Sequence, residues 1–110
     1  MIRLAGAAFA AMLATGAAAQ DGLTGQQVLT RCTSAEAADV NWCVGFIYGV
    51  GLVISDETTD KRYRACIPAD LTAEIGRLAV VKRIEDNPAL LPLPGHQAVW
   101  YVLLKEFGCP

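Results

Sequence analysis

Residues 42–54 read WCVGFIYGVGLVI, an uncharged run in which hydrophobic positions recur at helical spacing. Val40, Cys43, Val44, Ile47, Val50 and Ile54 fall on one broad stripe, the width of a core-facing surface. Gly45, Gly49 and Gly51 interrupt the run, and each costs about 1 kcal/mol of helix propensity relative to Ala. A residue without Cβ lets another backbone approach, so the glycine row predicts close packing. That packing is expected either inside the monomer, against the last helix, or in a dry interface across a dimer. The run is too short to span a bilayer, which takes about 20 apolar residues. It predicts the central helix of a small all-α domain; the alternative is a buried strand of a sandwich.

The rest of the chain alternates shorter periodic runs with breakers. Thr24 stands where it caps a short helix running through Val28 and Leu29 to about Cys32. Thr33 with Glu36 three residues on reads as a capping box, opening the central helix at Ser34 or Ala35 and carrying it to about Ser55. Residues 56–62 are then a charged, solvated connection. Pro68 pushes Ile67 out of the helical region, so residues 63–70 are extended. A third helix opens at Leu71 or Thr72, with Glu74 near its positive end. Ile75, Leu78, Ala79, Lys82 and Ile84 give it an imperfect stripe, and Pro88 stops it at Asn87. Residues 87–96, NPALLPLPGH, form a stiff irregular connection. The last helix runs from His96 or Gln97 to Phe107, with Val99, Leu103 and Phe107 on one face, Trp100 and Leu104 beside it, and Gly108 as its C-cap. The expected fold is therefore all-α, a small four-helix domain.

The N-terminus places that domain in a compartment. Arg3, an Ala-rich apolar run over 4–13 and the triplet Ala17, Ala18 and Ala19 make a secretory signal peptide, residues 1–19, cleaved before Gln20. Residues 20–110 are then one mature domain in the periplasm, with no membrane anchor left. It carries 8 basic against 11 acidic residues, a net charge of −3. No basic patch suggests nucleic acid, and no polybasic run suggests anionic lipid.

Cys32, Cys43, Cys66 and Cys109 are an even set in a small exported chain, which reads as two disulfides. Such staples are worth about 2–4 kcal/mol each in a small core. Three connectivities exist, and the order of elements favours one. Cys32 ends the first helix and Cys43 lies about two turns into the second, within reach across a helical hairpin. Cys66 precedes the third helix and Cys109 follows the fourth, so antiparallel packing of those helices brings their sulfurs to the same end. The expected bonds are Cys32–Cys43 and Cys66–Cys109.

Little here points to catalysis. His96 is the single imidazole, beside Pro and Gly, and neither Ser34 nor Ser55 has a nucleophile-elbow setting. The carboxylates are scattered over helix surfaces and ends. No C-x-x-C spacing or Cys/His cluster offers a metal site, and no phosphate loop precedes a helix. No enzyme activity, cofactor or metal is expected, which leaves binding to a protein partner. The proline-stiffened connection, through Leu90, Leu91, Leu93 and His96, is one candidate contact surface. The alternative is that its leucines cover the end of the bundle. The charged connection, through Asp56 and Glu57, is the second candidate.

In sequence the chain resembles the Rap/Tai family of type VI secretion immunity proteins. The resemblance rests on GQQVLTRC (25–32), WCVGFIYGVG (42–51), CIPADLT (66–72), the Asn87-Pro88 and Leu91-Pro92 pairs, and the terminal EFGCP (106–110). These pieces occur in the family's order and include all four cysteines. Two positions depart from the pattern: Leu52 stands where an acidic residue is common, and Gly108 replaces a proline. The resemblance implies a periplasmic, disulfide-stapled helical homodimer that binds a secreted effector toxin. The toxin would be a peptidoglycan amidase, its active site occluded by the immunity protein. A general periplasmic chaperone or assembly factor of small helical type is the alternative function.

Overall fold

A computed structural model of the chain describes residues 22–110. The expected leader and its cleavage site lie outside the described residues. Four helices make up the domain: α1 (Gly25–Cys32), α2 (Ala37–Ile54), α3 (Ala73–Asp86) and α4 (Gly95–Phe107). Single 3-10 turns, Lys61–Tyr63 and Pro88–Leu90, interrupt the two longer connections. The described residues contain no strand, only isolated bridges pairing Thr24 with Pro94 and Ala65 with Gly108. Each helix touches the other three, around a core of Val28, Cys32, Cys43, Ile47, Ile54, Val80, Ile84, Leu90, Val99, Val102 and Leu103.

The start of α1 is set by its neighbours as much as by its own sequence. The first four N–H groups of a helix have no partner within it. Here Gly25 N donates to Leu93 O (2.8 Å) and Gln26 N to Leu91 O (2.9 Å), whereas Val28 N, donating to Thr24 O, makes the first bond of the helix itself. The other two are satisfied reciprocally: Gln27 N donates to the Thr24 hydroxyl, and Thr24 N donates to Gln27 Oε1 at 2.9 Å. Gly25 lies flush against this connection: a Cβ there would stand 2.1 Å from Leu90 O. The proline-rich segment is thus a cap for α1.

Between α1 and α2 the expected capping box is not formed. Thr33 closes α1 instead, its hydroxyl donating to Leu29 O at 2.8 Å. Glu36 is the N-cap of α2, without a side-chain cap. Ser34 serves the turn, accepting from Glu36 N (3.0 Å) and donating to Asp39 Oδ2 (2.8 Å). The shorter path to Leu29 O wins because Thr33 still lies within the last turn of α1. α2 accordingly starts at Ala37, later than the sequence suggests.

The Cys32–Cys43 disulfide joins α1 to α2 with its Cα atoms 5.2 Å apart, and Cys66–Cys109 joins the extended segment to the C-terminus with Cα atoms 4.9 Å apart. Both pairings are those that the order of elements favours. They differ in burial. Cys32 and Cys43 are fully buried, whereas Cys66 is exposed and Cys109 half-buried. The second bond sits in a backbone clamp. Ala65 N donates to Ile54 O (2.9 Å) and Cys66 N to Phe107 O (2.7 Å), tying the segment to the ends of α2 and α4 together.

One helix face and one helix cap differ from expectation. On α3 the buried residues are Gly76, Val80, Val81 and Ile84, while Ile75 and Leu78 are more than half exposed. Both rows have helical spacing; the buried one contains Gly76 and lets α3 approach closely. Gly108 does not take the left-handed cap conformation (φ −55°, ψ 141°). Glycine is required there because a Cβ would stand 2.6 Å from Leu104 O.

Candidate functional site

α2 has a mean hydropathy of 1.6 over 18 residues, yet 22% of it is buried. Its inward row is Cys43, Ile47, Gly51 and Ile54, narrower than the stripe expected from sequence. At about 100° per residue, Gly45 and Gly49 lie roughly 160° from Ile47, on the outer ridge of the helix. They are exposed, and a Cβ built on either would meet nothing within 4 Å. Packing inside the monomer therefore accounts for Gly51 alone, where a Cβ would stand 3.1 Å from Ile67 Cδ1. The two outer glycines form a trough that divides α2 into two apolar flanks.

The first flank is a groove of about 450 Å³. One wall is Val44, Tyr48 and Leu52 of α2; the other is Ile67, Pro68 and Leu71, continuing to Ala73 and Gly76 at the start of α3. Ile47, Gly51 and Leu103 make its floor. Tyr48 and Leu52 are 67% and 55% exposed. The lining hydroxyls are those of Tyr48, Ser55 and Thr72. Ser55 Oγ donates to Gly51 O at 2.7 Å, and Thr72 Oγ1 accepts from Ile75 N as the α3 cap.

The second flank is shallower and still more apolar. Phe46, Val50 and Val53 of α2, with Gly45 and Gly49, line a depression of about 430 Å³ together with Trp100 and His96 of α4. Trp42 and Phe46 stack with ring centroids 5.0 Å apart, and the Arg31 guanidinium lies 4.4 Å from the Trp42 centroid. Trp100 Nε1 donates to Tyr63 O (3.1 Å), which fixes the indole at the edge of the flank. A third depression, where Ile75, Leu78 and Tyr101 lie among Lys82, Asp86 and Glu106, carries the Lys82–Asp86 and Arg83–Glu106 ion pairs.

The sequence-derived contact residues divide between these places. Leu90 is 3% exposed, and Leu91 and Leu93 pack partly buried against the core. These leucines pack toward the bundle, while Pro88, Ala89, Pro92 and Pro94 of the same connection are exposed. His96 is exposed on the second flank. Asp56 and Glu57 are exposed and follow Ser55, a lining residue of the groove, in sequence. Their connection is ordered rather than loose. Asp56 Oδ1 accepts from Thr58 N (2.8 Å) and the Thr58 hydroxyl (2.6 Å), which holds the Asp56 carboxyl below its ordinary range. Arg64 donates to the Glu57 and Thr59 carbonyls. Among the described residues no group of His, Cys, Asp or Glu is placed to hold a metal.

Sequence reasoning missed Tyr48, Leu52, Ile67 and Leu71 as surface. Val44, Tyr48 and Leu52 repeat at i, i+4, and that row was the signal available. The cystine clamp, which brings Ile67 opposite them, has no signature in the pattern.

A family model described as Rap1a immunity proteins matches residues 24–109. No curated protein and no solved structure matches the chain.

Proposed function

The chain belongs to the Rap1a immunity protein family, and we propose that it is a periplasmic binding protein that neutralises a toxin delivered by type VI secretion. The toxin in this reading is a peptidoglycan amidase whose active site the protein occludes. The observation that carries the reading is the exposure of α2. Its apolar flanks leave Tyr48, Leu52 and Val53 at 67%, 55% and 60% exposure. Contiguous apolar surface of this kind marks an interaction site. Two disulfides suit an oxidising compartment, in keeping with export by the leader and its cleavage before Gln20. The reading is of a binder, without cofactor or catalytic step.

The two flanks would serve two partners. The glycine trough, with Phe46, Val53, His96 and Trp100 around it, fits a second copy of the chain. Gly45 and Gly49 one turn apart would let two α2 helices cross closely in a homodimer. The groove is left for the toxin.

The test is direct. The purified mature chain is mixed with the product of a neighbouring peptidoglycan hydrolase gene, and amide-bond cleavage in isolated peptidoglycan is measured. Stoichiometric inhibition is expected. Full hydrolase activity at excess chain, with no complex on gel filtration, would overturn the reading. Many weakly bound clients in place of one tight partner would favour the chaperone alternative.

A further inference from the structure

We propose that the Cys66–Cys109 cystine is a redox latch. A dithiol protein of the C-x-x-C class opens it, and opening releases the segment that follows Cys66 from α2 while the helical bundle stays folded. That segment is a strap laid over an apolar floor. Among the described residues, 67–71 make no backbone hydrogen bond to another element; their one bond, Leu71 N to Pro68 O, is internal. Pro68, Ala69 and Asp70 are exposed, and only Ile67 and Leu71 are half-buried. Ile67 lies over Gly51, its Cδ1 3.1 Å from where a Cβ would stand. Beneath the strap, Ile47, Gly51 and Leu103 are buried. The covalent hold on this wall is the bond at Cys66.

The two cystines are unequal targets. Cys32 and Cys43 are fully buried, and Arg77 Nη1 donates to Cys32 O at 2.6 Å beside them. Cys66 is exposed and Cys109 half-buried. Exchange requires a thiolate to reach a sulfur, and exposed cystines are the labile, regulatory ones. All four cysteines are bonded and none is free, so the attacking thiolate comes from another molecule.

The chemistry fixes the class of that molecule. Its thiolate attacks Cys66 Sγ, the Cys66–Cys109 bond breaks, and Cys109 leaves as a thiolate that takes up a proton. A monothiol stops at this mixed disulfide, and Cys109, whose Cα lies 4.9 Å from that of Cys66, closes the bond again. The second thiol of a dithiol instead attacks within the complex, releases Cys66 as the thiol and leaves the reductant with its own disulfide. Two electrons and two protons pass from dithiol to cystine. What then ties the strap is Ala65 N to Ile54 O, Cys66 N to Phe107 O and Cys109 N to Arg64 O, the last at 3.4 Å. Three bonds outside the helices, with no cross-link, belong to the part of a fold that opens locally.

The latch goes beyond toxin binding and rests on that reading only for what a released strap would switch. Its test uses the full mature chain, thioredoxin as the dithiol probe, and glutathione at equal thiol concentration as the control. With thioredoxin, Cys66 and Cys109 should become alkylated at least about tenfold sooner than Cys32 and Cys43; glutathione should leave the bond closed. A C-x-x-S variant of the probe should be trapped on Cys66. In the reduced, alkylated chain the Ala65 and Cys66 amides should lose hydrogen-exchange protection, while α2 and α4 amides and the helical circular dichroism are kept. Cys66→Ser with Cys109→Ser should show the same pattern without alkylation. Equal reduction of both cystines, equal reaction with glutathione, unfolding as the bond opens, or Ala65 and Cys66 amides that stay protected would each overturn the proposal. With a toxin in hand the two readings separate. Inhibition by the oxidised chain should be lost on reduction; equal inhibition by both forms defeats the latch alone. A working latch in a chain that inhibits in neither form defeats the immunity reading alone.

Discussion

The two flanks of α2 are made from one helix and nearly one composition, yet they are different kinds of surface. On the groove side the helix is half of a construction. Ile67 and Leu71 come from a segment that reaches its place through the Cys66–Cys109 bond and the bonds of Ala65 and Cys66 to Ile54 O and Phe107 O. On the trough side the surface is α2 itself, with Trp100 as an edge held by one hydrogen bond to Tyr63 O. The glycines show the contrast most clearly. Gly51 is buried under Ile67, whereas Gly45 and Gly49 meet open space in the same chain. Depth therefore comes from long-range tethering, and flatness from local sequence. A deep, tethered surface suits an anchor residue; a flat one suits a second helix.

The largest expected effect breaks the comparison from the groove side. Replacing Cys66 and Cys109 with Ser together removes a bond spanning 43 residues of sequence, and loss of such a link typically costs about 2–4 kcal/mol. The urea midpoint should fall, with the groove residues losing amide protection first. Mild dithiol treatment should give the same state, since Cys66 is exposed while Cys32 and Cys43 are fully buried. A reductant thiolate attacks one sulfur and displaces the other as thiolate, and the second thiol of the reductant completes its own disulfide. Mass spectrometry after alkylation should find Cys66 and Cys109 labelled before the other pair. Labelling in the reverse order would mean that the clamp is the tighter of the two.

A pair of glycine substitutions sharpens the contrast, with opposite signs. Gly51→Leu adds bulk against Ile67 and should cost about 1–3 kcal/mol by overpacking. Gly49→Ala should instead raise monomer stability by up to about 1 kcal/mol, the helix propensity glycine gives away. If the trough holds a second copy, Gly49→Leu should weaken self-association in analytical ultracentrifugation while the monomer keeps its fold. Gly51→Leu without loss of stability would show that the groove floor yields.

The smallest effect is electrostatic. The Asp56 carboxyl is lowered chiefly by the Thr58 hydroxyl bond, and Glu74 chiefly by its bond from Arg77. Their ordinary values are 3.8 and 4.5. A lowered folded pKa adds stability that is present above the unfolded value and lost as pH falls through the folded one. Acidification from neutrality should leave stability unchanged down to about pH 5 and reduce it below. Asp56→Asn and Glu74→Gln should each flatten that decline, as followed by thermal melts across pH.

Much of the architecture was legible in the chain because its signals are local. Thr24 with Gln27, Thr72, and the Asn87-Pro88 stop act within a turn of backbone, and each bounds a helix where the sequence places it. The even cysteine count, read against the helix order, was enough for both disulfides. Where two local readings competed, the sequence could not choose. Thr33 had a capping role at either end of its turn, and α3 had two rows of helical spacing, one with Gly76 and one with Ile75 and Leu78. The decision lay in distances between elements far apart in sequence. The Leu91 and Leu93 carbonyls take the first amides of α1, which turns the leucines of that connection into the bundle. The clamp at Ala65 and Cys66 carries Ile67 across to Gly51 and so makes one flank of α2 a groove. Hydrophobic periodicity determined that α2 is a helix with more apolar surface than one core can bury. Only the tertiary structure decided which of that surface is floor, wall or open ridge, because burial depends on neighbours that the period of a helix does not encode.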